Sequence, residues 1–228
     1  MNSNAVLEFL QFVEGQKNQS VRELLDRVLQ KSRLMTKAEA GTIFTVRRHG
    51  SKRWLEPTSI QNDAIAVRKT DFVVPIGPGS IAGHVGDKGK TVIIDDVYKI
   101  RKSAPYSFDP SREHRSYQTH SMFCFALKNY HDEVIGVVQL INCRPRKNSK
   151  PMPFNPDVEQ LVGPVARVIG HSIERAEMLE QIKNKNRKLR DRNRLLGEQR
   201  AHIEALQEET EDAFQLSTQL LARATEIH

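Results

Sequence analysis

The stretch SMFCFALKNYHDEVIGVVQLINCR, residues 121 to 144, constrains the fold more than any other part of the chain. Two runs rich in apolar and β-branched residues flank the polar NYHDE, which is the pattern of a β-hairpin. The second run is apolar at successive positions rather than alternate ones, so both of its faces must be buried. A strand buried on both faces lies in the middle of a sheet. The remainder of the chain therefore has to supply two covers for that sheet.

Helical cover is available on either side of the hairpin. SVRELLDRVLQKSRLMTKA (20 to 38) places a serine where an N-cap belongs and a glutamate three residues on, with Leu24, Leu25, Val28 and Leu29 along one face. AGTIFTVRR (40 to 48), WLEPTSIQN and DFVVPI follow as three expected strands. SIAGHVGDKG then reads as a short helix closed by glycines, leading into the strand TVIIDD. The irregular KIRKSAPYSFDPSREHRSYQTH (99 to 120) is left to cover the second face of the sheet. A long loop over a sheet is a place where small-molecule pockets occur.

The organisation changes at about residue 157. From Asp157 to His228 there is one proline, Pro164, and helical periodicity throughout. At 38% apolar residues the chain can fill one modest core, which suits one globular domain followed by a long helix. No run of about 20 apolar residues is present, and MNSNAVLEFLQF lacks the features of a signal peptide, so a soluble cytoplasmic chain with no membrane partner is expected. Cys124 and Cys143 sit inside strand runs and read as reduced packing residues. With the hairpin centred near His131, Cys124 should lie opposite Val138 and Cys143 opposite His120, so the two are not cross-strand partners.

The net charge of +7 is concentrated. KNKNRKLRDRNR (183 to 194) holds seven Lys or Arg against one Asp, while EALQEETED (204 to 212) is acidic. Opposite charge blocks on one helix fit a solvated face and partner register better than a nucleic-acid footprint. The eight histidines lack metal-site spacing, so no metal is expected. Asp95 and Asp96 are adjacent at a strand end and point to opposite faces, which suits a turn or cap rather than a catalytic carboxylate pair. No catalytic constellation is legible in the chain.

The helix itself carries a heptad seam. Leu179, Asn186, Asn193 and Arg200 fall at position a, and Ile182, Leu189, Leu196 and Ile203 at d. Asparagine at a with leucine or isoleucine at d favours a parallel, in-register homodimer at some cost in stability. Beyond Ile203 the better seam is Leu206, Thr210, Ala213, Ser217, Leu220 and Ala224, reached through a stammer that overwinds the coil locally.

SIAGHVGDKGKTVIIDDVY, the connecting loop, THSMFCFALKNYHDEVIGVVQLIN and a final helix from about Asp157 together resemble the GAF family of sensory domains. The similarity covers roughly residues 18 to 175 and is nearest to the GAF domains of cyclic-nucleotide phosphodiesterases. It implies an α+β fold: an antiparallel sheet of about six strands with helices packed on one face, here followed by the long C-terminal helix of a parallel coiled coil. It also implies a pocket lined by Ile81 and Ala82 at the helix start, Phe108 or alternatively Tyr106 on the loop, Thr119 before the hairpin and Gln139 on its second strand. Helix-start amides suit an anionic phosphate, an aromatic ring suits a purine face, and a glutamine can donate to and accept from a base edge.

One departure stands out. The phosphodiesterase pattern has Asn-Lys after the hairpin, then Phe, three residues and Asp-Glu. Here Asn142 and Phe154 match, but Cys143 replaces the Lys and Val158-Glu159 the Asp-Glu, removing both partners of a salt bridge that the resemblance places near the pocket lid. Some GAF-like proteins are methionine sulfoxide reductases, which need exposed, reactive cysteines. Strand-embedded Cys124 and Cys143 do not fit that role.

LLARATEIH (220 to 228) resembles the opening helix of HD-type metal-dependent phosphohydrolases, including the HD-GYP enzymes of bacterial signalling that cleave cyclic di-GMP. The expected division is a helical lead-in over 1–17, a GAF domain over 18–172, a coiled coil over 173–219 and the start of an output domain over 220–228. The expected role is a dimeric small-molecule sensor, taking a cyclic nucleotide or other purine with no further cofactor. It passes its signal to an output domain in cis. The alternative is a dimerisation or adaptor module with an empty pocket, serving a cyclase or other output domain.

Overall fold

The computed structural model describes Gln11 and residues 20–66, 72–113, 115–146 and 149–225, without the side chains of 112, 160–164, 212 and 219–225. The expected lead-in over 1–17, Gln11 apart, and the side chains of LLARATEIH lie outside the described residues. The chain divides into two units, one ending at Glu177 and one beginning at Met178.

Helix α1, Val21–Thr36, starts as its capping sequence requires. Ser20 Oγ accepts from the Glu23 amide at 3.3 Å, and the Glu23 carboxylate accepts from the Ser20 amide at 3.2 Å. Lys37 ends the helix in a left-handed conformation, φ 58°. Strands β1 (Ala38–His49), β2 (Lys52–Asn62) and β3 (Val74–Pro75) follow, then α2 (Ile81–Lys88) and β4 (Val92–Ile94). The hairpin strands β5 (Met122–Lys128) and β6 (Val134–Cys143) precede α3 (Asp157–Thr225). Of the expected third strand DFVVPI, the described residues are 72–76, and among them only Val74 and Pro75 pair, antiparallel to Leu55 and Trp54.

The sheet order is β3-β2-β1-β6-β5-β4, and every neighbouring pair is antiparallel. The hairpin does lie inside the sheet: β6 runs between β1 and β5. Its continuous apolar sequence serves two cores. Val138 and Leu140 join Leu24, Leu25, Val28 and Leu29 of α1, Phe123 and Phe125 of β5, and Ile169 and Ile173 of α3. Val137 joins Phe44, Leu55, Met122 and Cys124 on the opposite face. The 99–120 segment shares that second face with α2: Ile100, Tyr106 and Phe108 pack against the same core in which Ile81, Ala82 and Val85 are buried.

Pro57 lies within β2, opposite Phe44, at a register shift in the β1–β2 ladder. A proline is tolerated there because, among the described residues, β3 pairs only with Trp54 and Leu55 and no second strand neighbours Pro57. The second unit is the part of α3 from Met178, along which Leu179, Ile182, Leu189, Leu196 and Ile203 are all exposed, as are Asn186 and Asn193. Arg200 donates to the Glu204 carboxylate one turn on, at 2.8 Å. No described helix is long and apolar enough to cross a membrane.

Candidate functional site

The face of the sheet away from α1 is roofed by α2 and by a strap, residues 97 to 120. α2 is held close to β3: Ser80 Oγ accepts from the Gly83 amide at 3.0 Å, and Gly77 donates to the Gly83 carbonyl at 3.1 Å. A Cβ on Gly83 would overlap the Pro75 carbonyl oxygen, so glycine is needed for this approach. Ser80 already takes the amide of Gly83. An anion at the helix start would therefore have to use the amides of Ile81 and Ala82, whose side chains are buried.

The strap begins in a 3-10 turn, Val97–Lys99, capped by Asp96, whose carboxylate accepts from the Tyr98 amide at 3.0 Å. That is the cap role expected at Asp95 and Asp96. The adjacent Lys99 ammonium and the Tyr98 amide hold the Asp96 carboxyl below its ordinary range. Val97 N donates to the His120 carbonyl at 2.8 Å, drawing the two ends of the strap together. Tyr98 meets Phe108 edge-on with centroids 5.4 Å apart, and its hydroxyl donates to Glu113 at 2.7 Å. The other Glu113 oxygen accepts from the Thr119 amide at 2.6 Å. Burial and this carboxylate push the Tyr98 phenol above its ordinary range. Ser107 Oγ donates to the Gly79 carbonyl at 2.8 Å, and the ring of Tyr106 lies 5.1 Å from that of His84.

These contacts place both Tyr106 and Phe108 half-buried against the strap-side core, so the two alternatives for the aromatic position are both present. Thr119 is buried, with its amide already engaged by Glu113. Gln139 is paired in register with Thr42 and Cys124 in the middle of the same face. Its side-chain amide donates to the Met122 sulfur at 3.1 Å, a weak acceptor for a half-buried amide. Five of the six expected site residues thus meet one surface: Ile81 and Ala82 from α2, Tyr106 and Phe108 from the strap, and Gln139 from β6. The strap segment 99–120 carries five Lys or Arg against two acids.

The sequence reading did not anticipate the polar cluster at the strap's end. Asn142 is fully buried with φ 56°. Its Oδ1 accepts from the His120 amide at 2.7 Å, and its Nδ2 donates to Glu39 at 3.0 Å, to Tyr117 Oη at 3.2 Å and to the Gln118 carbonyl at 2.8 Å. Glu39 is in turn ion-paired with Arg144 at 2.6 Å. Burial, and then Glu39, push the Tyr117 phenol far above its ordinary range. A lone Asn inside the apolar run QLINC was the available signal.

The positions of the missing salt bridge also need correction. Cys143 and Val158 do not lie at the lid; both belong to the core on the α1 and α3 side, where Phe154 packs 5.8 Å from Phe123. An apolar pair is suited to that place because an ion pair there would have to be desolvated.

Cys124 is fully buried in the strap-side core and Cys143 in the opposite one. Cys124 pairs with Gln139, beside Val138, and the Cys143 amide donates to the hydroxyl of Ser121, beside His120, so the two cysteines are not cross-strand partners. Burial pushes both thiols above their ordinary range. Among the described residues no three His, Cys, Asp or Glu side chains are grouped to hold a metal ion.

Known proteins agree with this architecture. The chain is 29% identical over 196 residues to the dual 3',5'-cyclic-AMP and -GMP phosphodiesterase 11A of Takifugu rubripes, covering 84% of this chain and 20% of that one. It is 23% identical over 210 residues to the cGMP-specific 3',5'-cyclic phosphodiesterase of Drosophila mojavensis, covering 87% and 18%. The chain thus spans about a fifth of the length of these curated relatives. Among solved structures, the GAF domain of a phosphoenolpyruvate-protein phosphotransferase from Coxiella burnetii superposes with a TM-score of 0.57 at 14% identity, covering 79% of this chain and 99% of that one. The free methionine-R-sulfoxide reductase of Neisseria meningitidis shares the fold at a TM-score of 0.56 and 14% identity, covering 78% and 95%. The sequence model of the GAF domain matches residues 20–173, well over half of the chain. The chain belongs to the GAF domain family.

Proposed function

We propose that this chain is the sensory part of a cytoplasmic signalling protein, holding a small planar anion, a cyclic nucleotide or another purine, between the strap and the sheet. The observation that supports this most is Gln139. It is a polar side chain in the middle of an apolar face, it has a thioether as a hydrogen-bond partner, and it lies on the face that Tyr106 and Phe108 cover. A base edge would give its amide better partners, and an aromatic ring would stack on the purine. The curated relatives act on cyclic AMP and cyclic GMP, which makes these the first ligands to test.

The exposed seam on α3 supports a parallel homodimer through Leu179, Ile182, Asn186, Leu189, Asn193, Leu196 and Ile203. A polar seam is weak enough for a ligand to bias, since typical coupling between sites is about 1–3 kcal/mol. In this reading residues 220–228 lead into an HD-type phosphohydrolase domain, and the ligand sets that domain's activity. The competing adaptor reading has one observation in its favour, the apolar Cys143 and Val158 where the phosphodiesterase pattern carries charge.

Native mass spectrometry of the chain purified from cells tests both parts. A dimer mass with a retained molecule of nucleotide size is expected. A monomer overturns the coil, and a bare dimer with no uptake of added nucleotides favours the adaptor. Replacing Asn186 and Asn193 by Leu should raise the melting temperature and loosen the oligomeric state, because buried amides cost stability while fixing register.

A further inference from the structure

The turn joining β5 to β6 is built more firmly than a surface connection requires. Asn129 is buried; its Oδ1 accepts from the amides of His131 at 3.0 Å and Glu133 at 2.9 Å, and its backbone amide donates to the Glu133 carbonyl at 3.0 Å. Asp132 takes a left-handed φ of 61° and meets the Lys128 ammonium at 3.0 Å. This stiff turn is fastened to α3 in three ways. The Tyr130 ring stacks on His171, with centroids 3.8 Å apart and planes within 15°. The Tyr130 amide donates to Glu174 at 3.2 Å. Gly170 lets the helix lie directly against Lys128, where any Cβ would overlap the Lys128 carbonyl oxygen.

Tyr130 is 65% exposed, so burial of apolar surface does not account for the stack. The position of the turn offers a better reason. β6 runs from it to Gln139, on the strap-side face. α3 runs from Glu174 to Leu179, the first residue of the exposed seam, in a little over one helical turn. A stiff strand and a stiff helix joined at a point of close contact pass displacement to one another, because packed interfaces do not absorb it gradually.

We propose that Tyr130, His171, Glu174 and Gly170 form the joint through which the state of the Gln139 face is passed to α3. Tyr130 and Glu174 act as positioning residues for the output helix. The proposal rests on that face being the sensing site, but it can be tested without any ligand. Hydrogen exchange of the full chain, read by mass spectrometry, reports residues 170–178, with the α1 segment 21–36 as the control for global stability. Gln139→Leu is expected to change exchange at 170–178 severalfold beyond any change in α1. In a Tyr130→Ala or Glu174→Ala background the same substitution should leave 170–178 unchanged, and Tyr130→Phe, which keeps the ring stack, should restore the response. A response of equal size in the Tyr130→Ala background, or no response at 170–178 in the native chain, overturns the joint. Cyclic-nucleotide binding plays no part in this readout, so a failure of the ligand reading remains a separate result.

Discussion

The two faces of the sheet are lined by alternate residues of the same strands, yet they are finished differently. Toward α1 and α3, Phe123, Phe125, Leu127, Val138 and Leu140 meet leucines, valines and isoleucines of two long helices, and the buried polar residues of α1, Ser32, Arg33 and Thr36, stand outside that cluster. Toward the strap, β6 presents Gln139 between Val137 and Ile141, and the cover is a short helix and a loop whose aromatic rings are only half-buried. Regular helices can bury whole side chains against a sheet, whereas a loop must satisfy its own backbone and leaves polar groups near the surface it covers. The first face holds the fold together. The second leaves half-buried Gln139, Tyr106 and Phe108 at its surface.

The largest test of that contrast is Phe123→Ala on the helix side. Fully buried and packed between Phe125 and Phe154, it should cost about 3–5 kcal/mol in urea unfolding. Asn142→Ala should come next, at about 1–3 kcal/mol, because the His120 amide, the Tyr117 hydroxyl and the Gln118 carbonyl all lose a buried partner. If Asn142→Ala proves as mild as a surface change, the strap is not anchored there.

The buried thiol gives a smaller, pH-dependent effect. Cys124 has its folded-state pKa raised by burial, so the fold favours the protonated form. That contribution is fully present below the thiol's ordinary range near pH 8.5 and is lost as pH rises above it. Unfolding free energy should therefore fall by up to about 1.4 kcal/mol per pH unit above about pH 9 for this one group. Tyr117 adds a loss of the same sign above about pH 10. Cys124→Ala should reduce the earlier part of the decline, leaving the share of the other raised thiol, Cys143, as seen in urea midpoints from pH 7 to 10. Phe108→Ala should have the smallest effect on stability, roughly 1 kcal/mol, since the ring is half-buried and full burial of a Phe contributes about 1.5–3 kcal/mol. A loss as large as that of Phe123→Ala would erase the distinction between the faces.

Much of this was legible in the sequence because its signals were local. The hairpin announced itself by two apolar runs about NYHDE, and α1 by Ser20 and Glu23. Gln139 falls on the strap-side face because β6 alternates regularly up to Ile141. The reading of Cys143 as lid-side failed for a physical reason. Asn142 takes a left-handed conformation that breaks the alternation, and Cys143 joins the opposite core. The strap was illegible beyond its aromatic residues, because its hold depends on Tyr98 meeting Glu113 and Asn142 meeting Glu39, pairs distant in sequence and without periodicity. The clasp of Tyr130 on His171 was hidden likewise, since nothing in NYHDE names a partner on a helix 41 residues later.

The central claim, that the strap-side face is a site for a small planar anion, is tested most directly by calorimetry. Cyclic GMP and cyclic AMP would be titrated into the native chain, into Gln139→Leu and into Phe108→Ala. Saturable heat with at least one of them in the native chain, weakened tenfold or more in both variants while Phe123→Leu binds as the native chain does, is the predicted result. Binding that ignores Gln139 and Phe108, or no binding of these or other purine nucleotides to a chain shown to be folded, would contradict it.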